Sequence, residues 1–217
     1  MAICNSKYIA EFYQQKQYLN KYQVLHCGIK PFKPLPAKKN HTINIGFIGT
    51  VMPSKGVQTL IQAFNKLRVK NIKLDIYGPI RYQQSELKQL CNGNSNIIFH
   101  GSYKHKNVPQ ILSTLDIVVV PSIWPEPYGL VVQEALFANK VIIASNIGGI
   151  PEQLIDGKNG YLFPAGNSHE LATKLRKIID NLGNIKNKLD FSHNQQTLTE
   201  EVCALISLYK QYILNKK

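Results

Sequence analysis

A chain of 217 residues is long enough for one full domain with a buried core plus extensions, and too short for two large ones. Apolar residues make up 44% and charged residues only 18%, which excludes the charge-rich, apolar-poor composition of a disordered chain. The formal charge of +13 favours anionic partners: phosphates, acidic lipid headgroups or nucleic acid.

The N-terminus, "MAICNSKYIAEFYQQKQ", lacks the apolar heart of a signal peptide, and no apolar run approaches the length of a spanning helix, so the expected location is cytoplasmic. The basic excess is concentrated here. Residues 1–40 hold seven lysines (Lys7, Lys16, Lys21, Lys30, Lys33, Lys38 and Lys39) against Glu11 alone, a charge that suits peripheral contact with an anionic membrane. "PFKPLPAKK" reads as a linker, so residues 1–40 are expected to be a separate piece with its hinge.

From residue 43 the pattern becomes regular. "INIGFIG" (43–49) is a short apolar run ending in glycine, and in "SKGVQTLIQAFNKLRV" the residues Val57, Leu60, Ile61, Phe64 and Leu67 fall at helical spacing. Strand and helix then alternate: "IKLDIYG", "YQQSELKQLC", "NIIFHG", "NVPQILSTL", "DIVVVPS", "GLVVQEALFAN", "KVIIAS", "GYLF" and "SHELATKLRKIIDNL". Such βαβ units, with strands apolar on both faces, predict a doubly wound α/β domain over 41–190 built on a parallel sheet. Residues 191–217 end in "TLTEEVCALISLYKQYIL", an amphipathic helix with a Thr-rich start and a Lys-rich finish. The four cysteines, Cys4, Cys27, Cys91 and Cys203, form no CxxC pair and no zinc-ligand spacing, and are expected to be reduced thiols, mostly packed.

In a doubly wound sheet, ligands bind beyond the carboxyl ends of the strands. That rule selects the loops 49–56 ("GTVMPSKG"), 78–82, 101–106, 121–129 ("PSIWPEPYG") and 145–151 ("SNIGGIP"). The last loops contain a puzzle, because "EPYGLVVQE" sets two carboxylates, Glu126 and Glu134, around an apolar run in a basic chain. A helix opening near Gly129 offers the backbone N–H groups of Gly129, Leu130 and Val131 to an anion, with Gly129 leaving room for a phosphate. Lys55, in the loop after the first strand, can supply the cation for the same diphosphate. No Asp-x-Asp occurs, so the usual carboxylate grip on a metal-bound diphosphate is missing and no metal is expected. Carboxylates flanking a diphosphate are useful as acceptors for hydroxyls. Glu134 then holds a ribose and Glu126 a sugar, and the ligand is a nucleotide sugar, UDP- or GDP-linked.

The ordered set "PSKG", "PSIWPEPYGLVVQE", "GGIPE" and "DGKNG" resembles the donor-binding C-terminal domain of GT-B glycosyltransferases, specifically the large retaining family 4. The resemblance covers residues 43 to about 180. It implies that Glu126 contacts the transferred sugar and is the catalytic candidate, that Glu134 contacts the ribose, and that Lys55 binds the diphosphate. It also implies that the backbone of Leu130 and Val131, after Tyr128 and Gly129, meets the distal phosphate. It further implies an acceptor that is a glycan or a lipid-linked glycan, as in cell-envelope polysaccharide synthesis.

Two features depart from the family pattern. Many members carry an arginine directly after the glycine ending the first strand, where this chain has Thr50 after Gly49; Arg81 and Lys104 are the candidate substitutes. The acceptor-binding first domain of the family is represented only by "SKYIAEFYQQ" and "KYQVLHCGIKPFKP", which resemble its last helix and the hinge. The expectation is therefore a donor-binding half that transfers poorly by itself and has a separate first-domain chain or another copy as partner. Other readings are a non-catalytic nucleotide-sugar-binding module, a nucleotide-sugar 2-epimerase, and a basic domain for nucleic acid or membrane. The epimerase is disfavoured by the "EPYGLVVQE" setting and nucleic acid by a sheet covered on both faces. None of the six histidines is assigned a catalytic role, although His100 lies near enough to a loop to touch a base. Gly148 and Gly149 are expected to approach the ligand.

Overall fold

The computed structural model describes residues 2–36 and 42–214. Lys38, Lys39 and His41, and the Lys-rich finish at Lys216 and Lys217, lie outside the described residues. Six parallel strands form the main sheet: β3 (Ile43–Ile48), β4 (Ile72–Tyr77), β5 (Ile97–Gly101), β6 (Ile117–Val120), β7 (Val141–Ser145) and β8 (Tyr161–Phe163). Their order is β5-β4-β3-β6-β7-β8, which is the doubly wound arrangement with its reversal between β3 and β6. All six were legible as apolar runs.

Alternation along each strand divides the core in two. Ile117 and Val119 join Ile45, Phe47, Leu74, Ile76, Val141 and Ile143 under α2 (Val57–Lys66) and α6 (Ser168–Asp180). Val118 and Val120 join Ile48, Ile142 and Ala144 on the opposite face, under α4 (Val108–Ser113) and α5 (Leu130–Phe137). Full burial of each of the larger of these side chains, Val, Leu, Ile and Phe, contributes about 1.5–3 kcal/mol. The remaining helix of the sheet's edge is α3 (Gln84–Cys91), and α7 (Leu182–Lys188) follows α6. The sequence reading ends its helix at Leu182 and does not anticipate α7, because Asn181, Gly183 and Asn184 leave no apolar period to mark it.

Residues 2–24 form their own two-stranded parallel sheet, β1 (Ala2–Cys4) with β2 (Tyr22–Val24), around α1 (Lys7–Gln15). This piece is docked rather than trailing. The carboxylate of Glu152 accepts from the backbone N–H groups of Lys7 at 2.8 Å and Tyr8 at 2.9 Å, capping the positive end of α1, and Ser6 is fully buried. The "GGIPE" glutamate is therefore a structural clamp between the N-terminal piece and the main domain. Asn159 of "DGKNG" is likewise internal, donating to the carbonyls of Gln153 and His193 at 2.8 and 3.0 Å.

The last helix, α8 (Leu198–Leu214), opens with a capping box: Thr197 N–H donates to Glu200 at 2.8 Å and Glu200 N–H to the Thr197 hydroxyl at 3.2 Å. Its start returns to the N-terminal piece, with Leu198 N–H donating to Ile29 O and Gly28 N–H to Glu201. Beyond that anchor it exposes Val202, Ile206, Tyr209 and Ile213. Cys4 is buried, Cys27 and Cys91 half-buried, and Cys203 exposed; all four are free thiols. Among the described residues no helix is long and apolar enough to cross a membrane, and no group of three His, Cys, Asp or Glu side chains gathers to hold a metal.

Candidate active site

The reversal of strand order opens a crevice at the carboxyl ends of β3 and β6, and a cavity of about 630 Å³ lies there. Its wall includes Gly49, Thr50, Lys55, Glu126, Tyr128, Gly129, Leu130 and Val131, so these eight of the residues singled out from sequence converge on one concave surface. Glu134 sits behind it.

Each side chain has a local cause. Pro53–Lys55 form a single 3₁₀ turn that Gly56 closes in the left-handed conformation, φ 69°, and this aims Lys55 across the crevice. Its Nζ donates to Glu126 Oε1 at 2.6 Å, and the Ser122 hydroxyl donates to the same oxygen at 2.7 Å. The cation expected on the diphosphate and the carboxylate expected on the sugar are thus paired to each other. The Glu126 loop is held from behind: Gly149 N–H donates to Glu126 O at 2.8 Å. A Cβ on Gly148 would fall 2.5 Å from that same carbonyl oxygen, and one on Gly149 2.3 Å from Pro127 O. This corrects the expectation for the glycine pair. Neither glycine belongs to the cavity wall; they are small so that the 121–129 loop can lie directly on their backbone.

Gly129, φ 89°, opens α5, whose first backbone N–H groups stand at the cavity wall. Tyr128 reaches the wall but is 3% exposed, and its ring stacks on His26 with centroids 5.0 Å apart. Burial pushes its phenol far up, and Gln153 donates to its carbonyl. The tyrosine braces the loop. Gln133, fully buried in α5, ties the helix to the chain's end by donating to Asn194 O at 3.0 Å and accepting from Gln196 N–H at 2.8 Å.

Glu134 lies just over one turn into α5, almost completely buried, and its Oε1 meets His105 Nε2 at 2.8 Å. Burial pushes this carboxyl above the usual carboxylate range, and the hydrogen bond and charge of His105 pull it part of the way back. His105 belongs to the cavity wall and was assigned no role from sequence; its position in the 101–106 loop, one of the five ligand-end loops, was the available signal. The other candidates fall elsewhere. Arg81 and Lys104 are not part of the wall, and Lys104 lines a neighbouring cleft with Tyr77 and His100. His100 stacks on Tyr77 at 4.1 Å and bonds Asp75 at 2.7 Å, outside the main cavity.

The buried Glu134 carries a stability cost with a defined pH window. Its folded pKa lies above the unfolded value of 4.5, so from pH 4.5 up to the folded value the native protein holds more protons than the unfolded chain. Stability from this group falls as pH rises through that window and stays low above it. Glu134→Gln is therefore expected to raise Tm at pH 7, by about 2–4 °C for each kcal/mol relieved in a chain of this size. The gain should shrink towards zero as the pH approaches 4.5, which differential scanning calorimetry at several pH values would read.

Residues 30–196 match the family of glycosyl transferases group 1. The chain belongs to that family. An uncharacterized glycosyltransferase of Methanocaldococcus jannaschii is 31% identical over 179 residues, covering 82% of this chain and 49% of the relative. Among solved structures, a glycosyltransferase of Rickettsia africae superposes with a TM-score of 0.88 at 20% identity, covering 97% of this chain and 63% of that one. HepE of Anabaena in complex with UDP-glucose superposes with a TM-score of 0.80 at 21% identity, covering 96% and 63%. The chain spans about half the length of the curated relative it matches. At these identities the superpositions show the GT-B type of Rossmann-like fold.

Proposed function

We propose that this domain binds a nucleotide-sugar donor and serves a retaining glycosyl transfer of the family 4 type to a glycan or lipid-linked acceptor. The observation that carries the reading is the meeting of Lys55 and Glu126, 2.6 Å apart, from two separate loops at the switch point beside the start of α5. A cation, helix N–H groups and a carboxylate around one cavity are the parts needed for a diphosphate flanked by hydroxyls. That a structural neighbour was solved with UDP-glucose supports the same reading. In this assignment Lys55 and the backbone of Leu130 and Val131 take the diphosphate, Glu134 the ribose and Glu126 the transferred sugar.

Chemistry of this kind needs the acceptor hydroxyl held beside the anomeric carbon in a cleft that excludes water. Glu126 stands where it can accept hydrogen bonds from sugar hydroxyls, and its bond from Lys55 keeps it aimed while doing so. The diphosphate leaves as an anion. Lys55 and the positive end of α5 lie where that charge develops, so they stabilise the departing group more than the bound ester.

No divalent metal is required in this scheme, because lysine and helix terminus supply the positive charge. Isothermal titration calorimetry with UDP and GDP in excess EDTA is the test. One of the two nucleotides should bind with unchanged affinity in the chelator. A loss restored by Mg²⁺ or Mn²⁺ sinks the metal-free scheme, and no binding of either nucleotide under any condition sinks the donor-site reading.

A further inference from the structure

His105 is a histidine on the wall of the proposed donor cavity that neither the sequence motif nor the proposed function accounts for. Its side chain is 85% exposed, whereas that of its partner Glu134 is 7% exposed. The ring stands in solvent at the cavity mouth, and its Nε2 reaches inward to a carboxylate buried in α5. An ionised carboxylate only accepts, so the imidazole donates through Nε2. One oxygen, Oε1, is thereby fixed, and Oε2 remains available to a hydroxyl.

A carboxylate buried to this extent is at risk of taking up a proton, and a protonated carboxyl offers less acceptor capacity to a ribose diol. Among the described residues, His105 is the group that opposes it. The elements packed against α5 are α4, β6 and β7, and their residues, Val108–Ser113, Ile117–Val120 and Val141–Ser145, include no ionisable side chain. From the loop after β5, Tyr103 faces the carboxylate as a phenol, itself pushed up by burial and by the Glu134 charge. Lys104 and Lys106 flank His105 in the chain, but neither is part of the cavity wall. His105 is the group that supplies both a donor and positive character to Glu134.

We propose that His105 is a positioning residue for the donor's ribose: by its bond to Glu134 it holds that carboxylate ionised and turned to present its second oxygen to the 2′- and 3′-hydroxyls. The inference rests on the proposed donor-site reading and deepens it. It gives the 101–106 loop a stated task, and it makes nucleotide affinity sensitive to the loop's conformation, since the histidine and the carboxylate come from different elements, the turn His105–Asn107 and α5.

The test is calorimetric titration of parent, His105→Ala and His105→Gln with UDP and 2′-deoxy-UDP, and with the guanosine pair in parallel, between pH 5 and 8. His105→Ala should weaken the ribonucleotide about tenfold or more at pH 7, as expected for loss of a hydrogen bond to a charged group. The 2′-deoxy nucleotide, which keeps only the 3′-hydroxyl as a partner for Glu134, should bind the parent more weakly than the ribonucleotide does and lose clearly less in the variant. The pH at which affinity falls on acidification should move upward in His105→Ala, because the carboxyl has lost the group that lowers its pKa; the diphosphate's own titration is common to both proteins and cancels. His105→Gln restores a donor without the charge, and should recover part of the affinity at pH 7 while keeping the displaced acid limb. Equal losses for ribo- and deoxynucleotide, or an acid limb unmoved in both variants, overturn the inference. If parent binds and Lys55→Ala does not, with His105→Ala indistinguishable from parent, the inference fails and the donor-site reading stands. If parent binds neither nucleotide pair, the reading itself fails and takes the inference with it.

Discussion

Lys55→Ala should lower the affinity for UDP or GDP by about 2–5 kcal/mol, the usual cost of truncating one partner of a desolvated charge pair, which is roughly 30-fold to several thousandfold. The lower end applies if water enters the crevice, since the lysine side chain is 37% exposed. Lys55 already donates one of its three N–H groups to Glu126, which leaves two for phosphate oxygens. That pairing makes a second, opposite effect available. Glu126→Gln removes a negative charge that repels phosphate and competes for the same ammonium, so it should bind the free diphosphate more tightly than the parent while discriminating less between UDP and UDP-sugar. Lys55→Ala leaves Glu126 with the Ser122 hydroxyl, a modest stability loss of about 1 kcal/mol for a partly exposed pair, so both variants remain folded and comparable. Calorimetry on the two variants reads the signs directly. Unchanged nucleotide affinity in both removes Lys55 and Glu126 from the donor site.

The parts of this site that were legible in the sequence are those whose chemistry depends on chain-local geometry. "PSKG" puts Lys55 in the loop after the first strand, and the lysine is there at the end of the Pro53–Lys55 turn, with Gly56 at φ 69° before α2. "EPYGLVVQE" predicts a loop carboxylate, a helix start and a second carboxylate inside the helix, and α5 begins at Leu130 with Glu134 buried. The strands were legible for a related reason. Ile117–Val120 is apolar on both faces because both faces are covered, and no amphipathic alternation competes with that reading.

What was not legible depends on contacts between distant residues. Glu152 looks like one more site carboxylate in "GGIPE", and only the fold reveals that it caps α1, 145 residues away in sequence. The mutual pairing of Lys55 with Glu126 spans 71 residues, and that of His105 with Glu134 spans 29. A histidine among lysines in "SYKHKN" carries no local mark of a carboxylate partner. Gly148 and Gly149 illustrate the converse error: small residues in a ligand-end loop suggest ligand approach, yet the space they leave is filled by the backbone of Glu126 and Pro127.

Gly56 joins the fold and the site at one atom, and Gly56→Ala should be among the most damaging single substitutions in the chain. Two costs add. The left-handed backbone at φ 69° disfavours any residue with a Cβ by about 1–2 kcal/mol. The new Cβ would also stand 1.8 Å from Pro121 O and 2.7 Å from Pro121 C, atoms of a backbone that cannot swing aside as a side chain would. Relief requires the Pro121–Ser122 segment to move, and Ser122, just past the end of β6, is 1% exposed. The combined loss is expected at about 3–5 kcal/mol, the range reached by substitutions that force a buried backbone apart. For a chain of this size that lowers Tm by roughly 6–20 °C. Because Ser122 and Glu126 lie on the displaced segment, nucleotide affinity should fall together with stability, unlike Lys55→Ala, which separates the two. Gly183→Ala is the matched control: this glycine lies within α7, no heavy atom stands within 4 Å of the added Cβ, and its φ is not positive. It should stabilise the protein by up to about 1 kcal/mol through helix propensity. Parallel thermal melts of the two alanine variants would decide the matter: if both shift Tm in the same direction, the contact between Gly56 and Pro121 does not set the geometry of the crevice.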